Sequence, residues 1–194
     1  MSNNKLTNKI MVYLLSMMIP IVNDQDEVIG EEERSIVHEK GIKHREIHVW
    51  LVTSNKEFIF QKRGLQQDTW PGFLDVTVGG HLDTASETYQ EAAERELFEE
   101  TGVKATVQFI MKGYSERYDP NTKSQNNAFR TTFAVKFEGS IEDLKVEDIA
   151  GLGFVKFSIN DLHNMKEEEK EKFIPRFLEE SYFDVYEKII NTLF

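Results

Sequence analysis

The sequence predicts an α+β domain, a mixed sheet carrying helices on its faces. Three observations predict it. Segments rich in β-branched and apolar residues recur between short turn signals, as strands require. Two stretches carry helical signals, one a capping pattern and the other apolar residues spaced by three and four. No internal repeat or low-complexity linker divides the 194 residues, a length that suits one domain with a real core.

Residues 10–22 form an apolar run, broken by Ser16 and Pro20 and preceded by Lys5 and Lys9. A leader peptide has this outline. However, Asn23-Asp24-Gln25-Asp26 follows without a small-residue cleavage site, and the run is shorter than the ~20 residues of a membrane span. It is read as a strand or extension packed on the domain. Residues 42–53 (IKHREIHVWLVT) and 57–62 (EFIFQK) read as two strands that turn at Ser54-Asn55-Lys56. Thr69-Trp70-Pro71-Gly72 marks a loop. Residues 74–78 (LDVTV) alternate as a strand does and run into Gly79-Gly80. Thr88 with Glu91 makes a capping box, good helix formers follow, and Gly102 stands where a left-handed cap belongs. Residues 103–111, 129–137 and 149–157 read as further strands, and 121–127 (NTKSQNN) as a polar loop. Apolar residues at 173, 174, 177, 178, 182, 183, 186, 189, 190 and 193 predict a helix over 173–193 that packs on the core.

Composition narrows the function. The formal net charge of −11 argues against non-specific binding to nucleic acid or to an anionic membrane, since both need a basic surface. The chain has no cysteine, so it has no disulfide, thiolate metal site or thiol nucleophile. A cytoplasmic location is expected.

The chemistry concentrates between residues 87 and 100, which hold six glutamates and one arginine. On a helix, Glu96, Glu99 and Glu100 share one region of the surface, while Ala93 and Leu97 turn to the core. Like charges at this spacing repel. Arg95 is expected to point roughly the other way round the helix, too far to neutralise all three. A divalent cation can do so, and Mg²⁺ takes a few carboxylates together with phosphate oxygens and waters. A solvated acidic face is the alternative.

With Gly79-Gly80 ahead of it, this stretch resembles the Nudix box, Gly-x5-Glu-x7-Arg-Glu-U-x-Glu-Glu-x-Gly-U, where U is aliphatic. Glu87, Arg95, Glu96, Leu97, Glu99, Glu100, Gly102 and Val103 fill the second half at every fixed position. The first half departs from the pattern, because six residues rather than five separate Gly80 from Glu87. The stretch from Gly41 to His81 is similar to the branch of the family related to isopentenyl-diphosphate isomerase, with the resemblance beginning near Met18.

The resemblance implies the Nudix fold, a mixed sheet sandwiched between helices, over 18–194. Residues 1–17 would then be an extension, or Met18 an alternative start. It also implies a metal-dependent pyrophosphohydrolase. Such an enzyme cleaves a nucleoside diphosphate linked to another moiety by attack of water on the diphosphate. Mg²⁺ or Mn²⁺ would be held by Glu96, Glu99 and Glu100 and by a carbonyl of the glycine turn, at Gly79 or Gly80. Glu99 would be a ligand or the base that orients the water. Arg95 would pair with Glu87 and fix the loop. Arg63 would clamp phosphate or make a surface ion pair. Glu116, Glu147 and Asp148 are candidates for a second base. Tyr118 falls where dinucleoside polyphosphate hydrolases of the family tend to place a tyrosine, whereas Arg117 stands where its ADP-ribose hydrolases carry a proline. Trp70, Phe73 and Phe129 are expected to pack rather than to stack a base.

Histidine clusters suggest metal sites, and His44 and His81 match positions that bind metal in the isomerase relatives, with His38 a looser match. Isomerase chemistry is nevertheless disfavoured. The cysteine it needs is replaced by glycine, and its later glutamates by Gln125-Asn126-Asn127-Ala128. His44 and His81 are therefore expected to be structural hydrogen-bonding residues. A second function stays open, a non-catalytic Nudix-fold module that senses a nucleotide sugar or similar ligand. In either case the partner is a small phosphate-containing molecule, and the amphipathic C-terminal helix permits a homodimer.

Overall fold

The computed structural model describes residues 17–67, 69–119, 122–146 and 151–194. The expected extension over 1–17 lies outside them except for Met17, whose carbonyl accepts from Arg34 N at 2.8 Å. The candidate bases Glu147 and Asp148 lie outside as well.

The sheet is built around β3 (His44–Thr53), in which eight of ten residues are buried. Successive side chains on a strand face opposite ways. Ile47, Val49 and Leu51 thus enter one apolar layer, while Trp50 and Val52 enter the other. Along its whole length β3 pairs in parallel with β8 (Ser124–Phe137), from His44 opposite Ala128 to Thr53 opposite Phe137. On its other side it pairs antiparallel with β6 (Val78–His81), from Glu46 opposite His81 to Val49 opposite Val78. A turn closed by Lys56, at φ 61, leads into β4 (Glu57–Arg63). That strand pairs antiparallel with β5 (Leu74–Asp75) and β9 (Gly151–Ser158). The hairpin β1 (Met18–Val22) and β2 (Val28–Glu33) joins where Ile21 meets His44, and α1 (Arg34–Lys40) follows it. With β7 (Gln108–Asp119) antiparallel to β8, nine strands of the described residues make one mixed sheet.

Helices cover both faces. On one lies α2 (Tyr89–Thr101), with Ala92, Ala93 and Leu97 buried against Ile47, Val49 and Val78. Its start is the capping box expected from the sequence, in which the Thr88 side chain accepts from Glu91 N while the Glu91 side chain answers to the Thr88 backbone. Its end is Gly102 at φ 75. The other face carries the short helices α3 (Ile159–His163) and α4 (Glu167–Lys170), and then α5 (Glu180–Leu193), whose Phe183, Tyr186 and Ile189 pack on Trp50, Phe58 and Phe60. This is the α+β sandwich of mixed sheet and helices that the sequence predicts. Among the described residues no helix is long and apolar enough to cross a membrane.

Several boundaries differ from expectation for identifiable reasons. LDVTV is not one strand, because the chain passes from β4 to β3 within it. The Thr77 hydroxyl bridges the step by accepting from Leu51 N at 3.0 Å and donating to Ile59 O. The polar SQNN of NTKSQNN is strand rather than loop, since it pairs with β7 and its side chains find structural partners; Asn127, for example, donates to Gly41 O at 2.8 Å. β7 starts at Gln108 rather than 103 and continues to Asp119. The predicted helix over 173–193 begins only at Glu180. Phe173 and Ile174 instead form an extended strap on β5, with Leu74 N donating to Lys172 O and Ile174 N to Leu74 O at 2.7 and 3.1 Å. Pro175 then opens a 3-10 turn through Leu178.

Candidate active site and histidine cluster

The glycine turn and α2 meet at Gly80. A Cβ there would stand 2.6 Å from Glu96 Cγ and closer still to its carboxyl group, so only glycine lets this backbone approach the side chain. Burial pushes the Glu96 carboxyl up to about 7; Arg95 opposes the rise, and Glu99 and Asp83 add to it.

Arg95 organises the loop between Gly80 and the helix. Its Nε lies 2.9 Å from Glu87 Oε1 and its Nη2 3.2 Å from Glu87 Oε2, a two-pronged pairing. Nη2 also donates to His81 O at 3.1 Å. Glu87 accepts in turn from Asp83 N at 2.6 Å, which closes the longer loop on itself. Glu87 is thereby tied into the scaffold. Arg95 does not point away from the acidic group as expected, since its Nη1 reaches Glu96 at 3.0 Å and Glu99 at 3.3 Å. It does so because a long guanidinium anchored on Glu87 spans the i+1 and i+4 carboxylates.

The three glutamates have different surroundings. Glu96 is mostly buried against Gly80, while Glu99 is exposed at 56% of its side chain. Glu100 is buried and accepts from Gln61 Nε2 at 3.1 Å. Among the described residues their oxygens do not form a compact group of ligand atoms. Arg63 departs from the role of phosphate clamp. Its donors go to Thr69 O at 2.9 Å, Asp75 Oδ2 at 2.8 Å and Thr69 Oγ1 at 3.2 Å, so it holds the loop after β4. Of the other candidates, Glu116 accepts from Tyr114 OH at 2.8 Å, Arg117 lies 3.4 Å from Glu179, and Tyr118 is exposed. Trp70 and Phe73 pack against the core as expected.

A second constellation occupies the other side of β3 and β6. His38, His44, Glu46 and His81 offer ligand atoms that all lie within 4.8 Å of one another. His44 Nδ1 meets Ile42 O at 2.9 Å, as a structural hydrogen-bonding role requires, while His44 Nε2 and His81 Nε2 are buried without a hydrogen-bond partner. Burial lowers His38 to about 3, with Arg34 and His44 adding to the effect, and holds His81 well below its usual value. The rings of His38 and His81 are therefore neutral, the form that binds metal. Burial would raise the Glu46 carboxyl, but the Arg130 guanidinium, with Nη2 2.6 Å away, keeps it well below the usual range. Sequence reasoning missed Glu46 and Gln61. Each lies in a strand of mixed composition, HREIHVWLVT or EFIFQKR, where nothing local separates it from the other polar residues.

With the cation absent, Glu96 sets a pH dependence. Its pKa in the fold, about 7, exceeds the ordinary 4.5. Its contribution to stability is therefore full below pH ~4.5 and is lost as pH rises through ~7, on the order of 1–3 kcal/mol. In urea unfolding under chelator, Glu96→Gln should gain on the wild type between pH 5 and pH 8. A difference between the two proteins that does not change with pH would contradict this.

Comparison with known proteins shows the family and the fold. The family model described as NUDIX domain matches residues 42–177. An uncharacterised Nudix hydrolase of Clostridium acetobutylicum is 31% identical over 148 residues, covering 74% of this chain and 71% of its own length. A crystal structure of a Deinococcus radiodurans protein shares the fold with TM-score 0.58 at 21% identity, covering 73% of this chain and 83% of that one. The Nudix domain of Shewanella oneidensis NrtR, solved in complex with ADP ribose, superposes with TM-score 0.54 at 12% identity, over 77% of this chain and 88% of its own.

Proposed function

The chain belongs to the Nudix family, and from that premise we propose that it is a divalent-cation-dependent pyrophosphohydrolase. It would cleave a nucleoside diphosphate linked to another moiety. The observation that carries the reading is the contact between Glu96 and Gly80. A desolvated carboxylate is packed on a strand backbone where no Cβ fits, and burial raises its pKa despite the neighbouring Arg95. A cation offsets the cost of that burial.

The donor set fits Mg²⁺ or Mn²⁺, since Glu96, Glu100 and the Gly80 carbonyl offer hard oxygen atoms. When bound, such an ion neutralises phosphate oxygens and lowers the pKa of water. The chain's own residues do the rest. Glu96 and Glu100 hold the ion. Glu99, exposed beside them, orients the attacking water or completes the ligand set. Glu87 and Arg95 hold the glycine loop against the helix. The single domain over 18–194 and a cytoplasmic location go with this reading.

The test is phosphate release, with a coupling phosphatase, across nucleotide sugars, dinucleotides, dinucleoside polyphosphates and nucleoside triphosphates, with Mg²⁺ and with Mn²⁺. Metal-dependent turnover of some member is expected, and it should vanish in Glu99→Gln. Silence across the panel, with ligand binding still seen by thermal shift, would favour the non-catalytic module instead.

The orphaned Nε2 atoms of His44 and His81 favour a second reading beside the first. His38, His44 and His81, with Glu46, would hold a further divalent ion. Imidazole nitrogen suits Zn²⁺ or Mn²⁺ better than Mg²⁺. Elemental analysis of the purified protein should find such an ion, and His81→Ala should remove it. An equal metal content in both proteins would contradict the reading.

A further inference from the structure

The buried contact between Gln61 and Glu100 has a use in the reaction. Gln61 lies inside β4, its backbone paired with Asp75 in β5 and with Phe154 in β9. The β4–β9 register shifts just past it, and such irregularities re-aim side chains. Its neighbour Phe60 enters the α5 layer, so by strand alternation the Gln61 side chain emerges on the α2 side. There its Nε2 donates to Glu100 Oε2 at 3.1 Å, with both residues buried.

We infer that Gln61 is a positioning residue that fixes the Glu100 carboxylate for the cation; the inference rests on the reading of Glu96 and Glu100 as cation ligands. An ionised carboxylate only accepts hydrogen bonds, so the amide must present its NH₂ to Glu100, which sets its orientation. One carboxylate oxygen is thereby pinned. A free glutamate would lose rotamer freedom on binding an ion; Gln61 has already restricted that freedom in the fold. The amide is also uncharged. It orients Glu100 without cancelling the charge that attracts the ion, whereas Arg95 offsets the charge of Glu96 and Glu99.

The test is the dissociation constant of Mn²⁺, read from the electron paramagnetic resonance of the free ion, for the ion whose binding Glu100→Gln weakens. Gln61→Met keeps the length and removes the donor. Its Mn²⁺ dissociation constant should rise by ~10-fold or more, as for other supports of metal ligands, while kcat at saturating Mn²⁺ stays unchanged. In the Glu100→Gln background the same substitution should add nothing. Gln61→Asn, with the amide drawn back by one methylene, should repeat the loss and carries the test if Gln61→Met folds poorly. Unaltered Mn²⁺ binding in both Gln61 variants, or an equal added loss in the Glu100→Gln background, would overturn the role of Gln61 alone. Should Glu100→Gln itself leave Mn²⁺ binding intact, the cation-site reading fails and this inference fails with it.

Discussion

Glu100→Gln is expected to lower kcat/KM by ~10²–10³-fold while leaving the fold intact. The substitution keeps the shape of the side chain and still offers an oxygen to Gln61 Nε2, now 3.1 Å from Glu100 Oε2. It removes one negative charge where a cation is to be held. A divalent ion contributes several kcal/mol of stabilisation to developing phosphate charge, and each 1.36 kcal/mol lost is tenfold in rate. Glutamine keeps the length of the side chain and the hydrogen bond from Gln61, so the chelated variant should melt within a few degrees of the chelated wild type. Steady-state kinetics over a series of Mg²⁺ concentrations checks the first statement and thermal unfolding the second. Turnover comparable to wild type would remove Glu100 from the site. The exposed Glu99 provides the comparison. If it is a base, Glu99→Gln lowers kcat with metal affinity retained; if it is a ligand, the two fall together.

Gly80→Ala should separate activity from stability in a different way. Gly80 does not have positive φ, so alanine suits its backbone. The cost is local, because the new methyl would collide with the flexible end of Glu96. That end can swing away, so the melting temperature should fall by only a few degrees, ~2–4 °C. Swinging it away removes Glu96 from the cation, and a displacement of about 1 Å at a reacting centre costs ~10²-fold. The half-saturating Mg²⁺ concentration should rise at the same time. Gly79→Ala is the control. A Cβ there meets Val76 Cγ1 at 3.4 Å and His48 Cδ2 at 3.8 Å, ordinary contacts, and the effect should be far milder. Equal losses at the two glycines would show that the contact with Glu96 carries no special role.

The α2 layer was legible in the sequence because its signals are local. A capping box, a C-terminal glycine and residues at fixed helical spacing define Tyr89–Thr101 without reference to the rest of the chain. The α/β/α arrangement was legible through the resemblance that the α2 residues carry, and the run of apolar residues in HREIHVWLVT agrees with a strand buried on both faces. What escaped is what depends on distant partners. The strand character of SQNN depends on β7, and nothing in four polar residues announces it. The extended strap at Phe173 and Ile174 depends on the free edge of β5, so apolar spacing alone reads it as the first turn of α5. The reach of Arg95 to Glu96 and Glu99 follows from its anchorage on Glu87 rather than from its angle on the helix. The histidines were visible singly, but their convergence with Glu46 follows from the register of β6 on β3, where His81 stands opposite Glu46.

The strap bears on how the chain completes itself during synthesis. Leu74 N and O are satisfied by Lys172 and Ile174, residues made roughly a hundred positions after it. Until they emerge, the backbone of β5 offers unmade hydrogen bonds, and a bare strand edge invites pairing with other chains. Asp75 likewise waits for Arg176, and Trp50 for Tyr182. The α2 layer, by contrast, draws mostly on segments present once β8 has been made, with Ile141, Leu144 and Phe154 following soon after. Nascent chains should therefore build the layer that carries Glu96 and Glu100 first, and remain prone to association until the last few dozen residues close the opposite face.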